Sequence, residues 1–263
     1  MSVASIVEPS ALARFVDWLA TNSQRSKTDG RMYNYLPRSD SHSIALCRFI
    51  VQDLVIRSEV IREKAKEGRI AFGLNVRHRF PNGKTKTLDF AIGIPDPAGL
   101  PLTPHGISQA EEFSRVLISC EQKTCMTEHG KSQPRLYDEL SSSHEIVHQG
   151  DQQCIAAGAA IINIAPTFVS PLRQRTGLDL VTTRHNQPGV TGSMINHLRG
   201  LPIRNDIGQV GFDAFVQAVV SCTNQDGATL HTELPAPQPG DPDHYDTFVN
   251  RISLAFQERF AAI

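Results

Sequence analysis

Long apolar runs and ordered cysteine spacings are both missing from this sequence of 263 residues. No segment approaches the roughly 18 consecutive apolar residues of a membrane-spanning helix, so we expect no contact with a membrane. The first residues, MSVASIVEPSALARF, contain neither a basic segment nor a continuous apolar segment, and we therefore expect no secretory signal. The five cysteines are scattered and never form C-x-x-C, which favours reduced thiols in a cytoplasm over a disulfide framework.

An excess of charge of either sign is also missing, because 26 basic residues face 27 acidic ones and the net charge is −1. This balance neither requires nor excludes a polyanionic partner, since many DNA-processing proteins concentrate their positive charge locally. The hydrophobic fraction of 40% is ordinary for a globular protein, and a chain of this length can bury a sizeable core.

Apolar periodicity predicts several helices. Residues 10–22 carry one apolar stripe behind a potential N-cap at Ser10. Residues 41–67 have the pattern of one long helix that ends at Gly68. Three further segments are predicted to be helical: 108–116, 133–149 and 247–260.

The strand signals are clearest in the middle of the chain. The Asn-Gly pair in PNGK separates RIAFGLNVRHRF from KTKTLDFAIGI, and this arrangement is typical of a β-hairpin. Residues 117–126 and the apolar run 156–165 are predicted to form two more strands, whereas the chain from 166 onward is expected to be irregular until the last helix. The order helix, hairpin, strand, helix, strand predicts an α/β fold with a central mixed sheet flanked by helices.

Charged residues interrupt two of the predicted strands. Asp89 lies in TLDFAIG, and Glu121 and Lys123 lie in SCEQKT. Residues two apart on a strand project from the same face, so Glu121 and Lys123 point together. If the strand of Asp89 is adjacent, two carboxylates meet, and a divalent cation such as Mg²⁺ relieves their repulsion. The helical spacing Val51, Val55, Glu59 also aims the Glu59 carboxylate inward, and a solvated helix face is the alternative explanation.

With these residues the chain resembles the PD-(D/E)xK nuclease superfamily, and type II restriction endonucleases in particular. The resemblance covers about residues 41–170 and depends on Asp89, EQK and the order of elements. It implies a restriction-endonuclease-like core in which Asp89 and Glu121 bind Mg²⁺, Lys123 is catalytic and Glu59 assists. Asp96, in the literal Pro-Asp pair, is the alternative for the first acid.

The resemblance further implies a Mg²⁺-dependent enzyme of a restriction-modification system that hydrolyses phosphodiester bonds in double-stranded DNA as a cytoplasmic homodimer. We expect one nuclease domain over 1–263, with DNA-recognition and dimerisation segments in about 170–263 and the N-terminal helix. Arg, Asn and Gln side chains in loops contact phosphates and base edges. The candidate DNA-binding residues are Arg135, Arg173, Arg175, Arg184, Asn186, Arg199 and Arg204.

The string HEIVH at 144–148 offers a different chemistry. In zinc peptidases this spacing supplies two histidine ligands, here His144 and His148, and a general base, here Glu145. No third ligand follows at a usual spacing and the flanks SSS and QGD are polar, so we favour a helix that follows the catalytic strand. A zinc metallopeptidase and a catalytically inactive DNA-binding relative of the nucleases are the alternative functions.

Overall fold

The computed structural model describes residues 9–97, 100–174 and 180–263, with only the backbone at 173, 174 and 180. The helices are α1 Ala11–Thr21, α2 Ser41–Arg57, α3 Glu59–Lys66, α4 His129–Gly150, α5 Gly189–Leu198 and α6 Tyr245–Phe260. The strands are β1 Gln24–Arg25, β2 Met32–Tyr33, β3 Ala71–Arg79, β4 Thr85–Pro95, β5 Ser108–Gln109, β6 Phe113–Cys125, β7 Ile155–Asn163, β8 Thr167–Gln174, β9 Leu180–Arg184, β10 Ala214–Cys222 and β11 Ala228–His231.

A seven-stranded mixed sheet forms the centre of the fold, in the order β11-β10-β7-β6-β4-β3-β5. Strand β4 is antiparallel to both β3 and β6, whereas β6, β7 and β10 run parallel. Helix α4 is the crossover between β6 and β7, as a parallel pair requires. The predicted α/β class, with a central mixed sheet flanked by helices, is therefore confirmed.

Helices cover both faces of this sheet. Residues of α1, α2, α3 and α6 pack with one set of strand side chains in the larger apolar core. Residues of α4 and α5 pack against the other face in a second core. Strand β7 is buried along its whole length between these layers, which explains its uninterrupted apolar sequence. In the part of the chain that the structure describes, no helix is both long and apolar enough to cross a membrane.

Several predicted elements are confirmed with small changes of boundary. In α1 the Ser10 hydroxyl accepts a hydrogen bond from the Ala13 N–H, as an N-cap does. The predicted hairpin is β3 and β4, and Gly83 in its turn has a φ of 83°, a value that favours glycine. The strands β6 and β7 and the helices α4 and α6 also lie where the sequence predicts them.

Three predictions of secondary structure are wrong. The helix 41–67 is two helices, because Ser58 adopts an extended conformation between α2 and α3. The helical spacing of apolar residues continues across the break because Ile61 and Ala65 of α3 still pack in the same core as α2.

Segment 108–116 is extended, and Phe113 and Val116 bury their side chains as β6 begins. Pairing with neighbouring strands outweighs its helical propensity. The chain after 166 is not irregular, because it forms the β8–β9 hairpin and contributes β10 and β11 to the sheet.

Candidate functional site

Strand register places Asp89 beside Glu121. The antiparallel ladder pairs Phe90 of β4 with Cys120 of β6. Asp89 precedes Phe90 and Glu121 follows Cys120, so these two residues lie opposite each other. At this point the strands are joined through a side chain, because the Gln122 N–H donates to Asp89 Oδ2 at 2.6 Å. On β3, across from Asp89, Asn75 has a left-handed φ of 51°, which marks an irregularity in the hairpin. The structure thus brings together the two acids predicted from the sequence.

The Glu121 carboxylate is almost fully buried and receives two ammonium groups. Lys123 Nζ lies 2.6 Å from Glu121 Oε1, and Lys86 Nζ lies 2.8 Å from Glu121 Oε2. The hydroxyl of Ser143, on the crossover helix α4, donates to Glu121 Oε2 at 3.3 Å. Only 9% of the Glu121 side chain is exposed, so these partners replace the water that a surface carboxylate would have.

Lys123 has a second acidic partner on α4. Its Nζ lies 3.3 Å from Glu139 Oε2, and Glu139 Oε1 lies 3.8 Å from Arg135 Nε. Lys123 is therefore held between a buried carboxylate on its own strand and a half-exposed one on the helix above. The arrangement fixes the Lys123 ammonium between Glu121 and Glu139.

The two acids have opposite electrostatic surroundings. Burial, followed by the negative charge of Glu121, raises the pKa of Asp89 to about 6. Burial also acts to raise the pKa of Glu121, but the charges of Lys123 and Lys86 outweigh it and the pKa is lowered. Burial acts to lower the pKa of Lys123, and attraction to Glu121 reverses this effect. Near neutral pH the site therefore holds two carboxylates whose mutual repulsion is felt at Asp89.

This donor set fits a magnesium ion. Mg²⁺ is commonly held by one or two carboxylates and completes its octahedron with water and substrate phosphate oxygens. Asp89 and Glu121 would supply the carboxylates, and the raised pKa of Asp89 marks a charge that a cation would compensate. Within the described ranges, no group of three or more His, Cys, Asp or Glu side chains is placed to hold a metal. The protein would thus contribute two carboxylates and leave the remaining positions open.

A stability measurement can test whether the buried negative charge of Asp89 destabilises the folded protein. The pKa of this carboxyl group is about 6 in the folded protein and about 4 in the unfolded chain. The free energy of unfolding therefore decreases as pH rises from about 4 to about 6 and beyond. We expect Asp89→Asn to raise the free energy of unfolding by about 2 kcal/mol at pH 7.5 and by almost nothing at pH 4. Urea unfolding at both pH values, without divalent cations, measures the difference. The exposed Asp138→Asn on α4 is the control and should change it by less than about 0.5 kcal/mol at either pH.

Glu59 and Asp96 lie away from this cluster. The α2 residue beneath Asp89 is Cys47, whose thiol pKa is raised by burial and then by the charge of Asp89. Glu59 lies beyond the break at Ser58, as the first residue of α3, and its side chain is exposed. Asp96 follows the far end of β4, where Pro95 pairs with Phe113 rather than with the region of Glu121. Asp89 is therefore the acid that meets Glu121, whereas Glu59 is exposed at the start of a separate helix.

Three neighbours of the acid pair were missed by sequence reasoning: Lys86, Ser143 and Glu139. The twofold period of a strand places Lys86 on the face opposite Asp89, because the two residues are three apart. The long side chain reaches Glu121 from a hairpin that packs toward α4 through Phe80 and Leu88. Ser143 and Glu139 lie four residues apart on α4, a spacing that marks one helix face but does not reveal what that face covers.

Three of the predicted DNA-binding residues are exposed near this end of the sheet. Arg135 is on the outer side of α4, and its side chain is 69% exposed. Arg184 and Asn186 are exposed on either side of His185 at the end of β9. The His185 ring is 3.1 Å from the Thr127 hydroxyl, which follows β6 four residues after Lys123. These three side chains lie on segments adjoining the C-terminal end of the strand that carries Glu121 and Lys123.

The other predicted DNA contacts differ in position. Arg204 is only 1% exposed and binds Asp213 and the carbonyls of Gln152 and Cys154, so it is a buried structural residue and not a reader of DNA. Arg199 donates to Asp241 and Asp243, and this pairing uses its guanidinium within the fold. Arg175 lies outside the described residues, as does the side chain of Arg173.

The HEIVH string does not form an accessible metal triad. His144 and His148 point into the protein and are 1% and 6% exposed, whereas Glu145 is exposed on the other side of the helix. Burial lowers the pKa of His144 to about 4, and its ring packs edge-on against Phe212. His148 Nε2 lies 3.3 Å from Asp213 Oδ2. The two histidines therefore belong to the interface between α4 and the sheet, as the favoured interpretation expected.

Comparison of the chain with protein-family models, with curated proteins and with solved structures finds no match.

Proposed function

We propose that this protein is a Mg²⁺-dependent endodeoxyribonuclease that hydrolyses phosphodiester bonds in double-stranded DNA. The observation that carries the proposal is the acid pair of Asp89 and Glu121 beside Lys123 on adjoining strands. Burial and the charge of Glu121 raise the pKa of Asp89 to about 6, so the two acids repel each other where a cation would relieve the repulsion. Perturbed pKa values cluster at functional sites, and here the perturbation accompanies two carboxylates and a lysine on adjoining strands.

The arrangement of the fold supports the same assignment. The helix α2, the strands β3, β4 and β6, the crossover helix α4 and the strand β7 follow in the order on which the resemblance to the PD-(D/E)xK nucleases rests. The two acids occur on the second and third of these strands, and the lysine follows two residues after the second acid. We therefore extend the proposal to a restriction-endonuclease-like core over about 41–170.

The residues of the site suit phosphodiester hydrolysis. When bound, a divalent cation lowers the pKa of a coordinated water and neutralises charge on a phosphate. Asp89 and Glu121 would hold this cation between them. The Lys123 ammonium, positioned by Glu121 and Glu139, supplies a fixed positive charge where a phosphorane would become more negative. Asp89 must be ionised for this arrangement, so we expect the affinity of the protein for Mg²⁺ to weaken as pH falls through about 6.

The exposed side chains around the site suit a duplex substrate. Arg135, Arg184 and Asn186 offer donors to phosphates and to base edges. We further propose a site-specific enzyme of the type II restriction class that acts as a cytoplasmic homodimer, because cleavage of both strands is simplest with two copies of one site. This finer assignment rests on the resemblance and on the position of these three residues.

Incubation with phage DNA and Mg²⁺ tests the proposal directly. We expect a set of discrete fragments on an agarose gel, and no cleavage when EDTA is added. A smear would indicate a nuclease without site specificity and would overturn the restriction assignment. Intact DNA with both Mg²⁺ and Mn²⁺, together with retarded migration of the duplex, would instead support a DNA-binding relative that has lost catalysis. Intact DNA without retardation would contradict the nucleic-acid assignment altogether.

A further inference from the structure

Each oxygen of the Glu121 carboxylate has an ammonium group beside it. Oε1 faces Lys123 at 2.6 Å and Oε2 faces Lys86 at 2.8 Å. The two ammonium groups compete with a metal ion for the negative charge of Glu121 and repel it. If Glu121 binds a cation, as in the proposed function on which this inference rests, the lysine that is held less firmly is the one to move away.

The two lysines are not held equally. Lys123 has Glu139 as a second acidic partner at 3.3 Å, so it stays anchored when its hold on Glu121 weakens. Lys86 has no ion pair besides the one with Glu121 among the described residues. Its charge also lowers the pKa of Asp89, which places the ammonium within electrostatic reach of both acids. Lys86 is thus the cation that a metal would displace.

We propose that Lys86 is a positioning residue with two alternate partners: it neutralises Glu121 in the free protein and turns to a DNA phosphate when the metal is bound. The lysine would compete with the cation for Glu121 before DNA arrives. It would then contribute its released charge to the same phosphate group that the metal contacts. Binding of metal and binding of DNA would in this way reinforce each other through one side chain.

A purely structural role for Lys86 is the competing explanation, since it joins the β3–β4 hairpin to the core. The tip of that hairpin has other attachments to the C-terminal end of α4. Asn82 donates to the Gln149 carbonyl at 2.9 Å, Lys84 donates to the Gln149 side chain, and the Phe80 ring packs so closely on Gly150 that no side chain fits there. Lys84 is therefore a matched control, with the same charge and hairpin but no contact to Glu121.

The experiment measures Mn²⁺ binding to the full chain without DNA by electron paramagnetic resonance, in wild type, Lys86→Met, Lys84→Met and Glu121→Gln. We expect Lys86→Met to bind Mn²⁺ about tenfold more tightly than wild type, since a competing charge is removed from a ligand. Lys84→Met should match wild type, and Glu121→Gln should lose the site. A second measurement follows binding of mixed phage DNA fragments with and without Ca²⁺. The gain in affinity on adding Ca²⁺ should be about tenfold smaller in Lys86→Met than in Lys84→Met.

The outcomes separate this inference from the proposed function. Unchanged or weaker Mn²⁺ binding by Lys86→Met, in a protein whose wild type binds Mn²⁺ and cleaves DNA, would overturn the role of Lys86 alone. An equal Ca²⁺ effect on DNA binding in the two lysine variants would do the same. A wild type with no Mn²⁺ site that depends on Glu121 would overturn both proposals. Thermal unfolding of each variant shows whether a change in affinity arises from loss of structure instead.

Discussion

Replacing Glu121 with Gln is expected to reduce the rate of DNA cleavage on the order of a thousandfold. The substitution keeps the shape of the side chain and an oxygen for the Ser143 hydroxyl, but it removes the charge that would hold the cation and that orders two lysines. Cleavage of plasmid DNA under single-turnover conditions measures the effect. Circular dichroism and thermal unfolding check that the variant remains folded.

Lys123→Met and Glu145→Gln complete this test. Lys123→Met should be similarly inactive, yet it should bind Mn²⁺ at least as well as wild type, because Glu121 then has one fewer competing ammonium. Glu145→Gln also removes one carboxylate, from an exposed position on α4, and should leave cleavage unchanged. If Glu145→Gln instead abolished hydrolysis of a peptide substrate while Glu121→Gln did not affect DNA, the metallopeptidase would be the correct function.

The site was predictable from the sequence where strand geometry alone determines it. Charged residues inside apolar strands identified Asp89, Glu121 and Lys123, because a half-buried strand tolerates such residues only for a reason. The prediction of Glu59 failed because helical periodicity extends through Ser58 although the backbone does not. Lys86 was missed because the hairpin is irregular at Asn75 and Asp89: Leu88 and Ala91, three residues apart, both pack in the core beside α4. Lys86, two residues before Leu88, therefore shares the side of Glu121, which strict alternation from Asp89 does not predict.

The same distinction explains the arginines. Arg204 and Arg184 have similar polar neighbours in the sequence, and only the fold shows that the first is buried against β10 and the second is exposed on β9. Asp213, the acid that binds Arg204, directly precedes β10. This segment was predicted to be irregular, so the position of Asp213 at the sheet was not foreseen. Long-range pairing, which local patterns do not contain, decides the role of such residues.

That buried acid leads to the second large expected effect. Asp213 accepts hydrogen bonds from Arg204, from Arg259 and from the Ala156 N–H. The side chains of Asp213 and Arg204 are 2% and 0% exposed. Removal of one partner from a buried ion pair leaves an uncompensated charge and costs about 3 to 5 kcal/mol. We therefore expect Asp213→Asn to lower the free energy of unfolding by about 3 kcal/mol at pH 7.

The pH dependence of this loss distinguishes Asp213 from Asp89. Burial acts to raise the pKa of Asp213, but its contacts with His148, Arg204 and Arg259 outweigh burial and hold the pKa far below the ordinary value. A lowered pKa contributes stability that is present above the pKa of the unfolded chain, near 4, and is lost only in stronger acid. The deficit of Asp213→Asn should thus be constant from pH 5 to pH 8, roughly, and should shrink below about pH 4.

Urea unfolding across this pH range measures how Asp213→Asn and Asp89→Asn each change the free energy of unfolding. The control for Asp213 is Asp241→Asn, since Asp241 pairs with Arg199 at a surface where both side chains are about two-fifths exposed. An ion pair of that kind contributes less than about 1 kcal/mol. If Asp213→Asn were no more harmful than Asp241→Asn, the buried network would not be the stabilising element that its contacts indicate. If Asp89→Asn were destabilising at pH 7.5, Asp89 would be a structural acid like Asp213, and the proposed metal site would lose its main support.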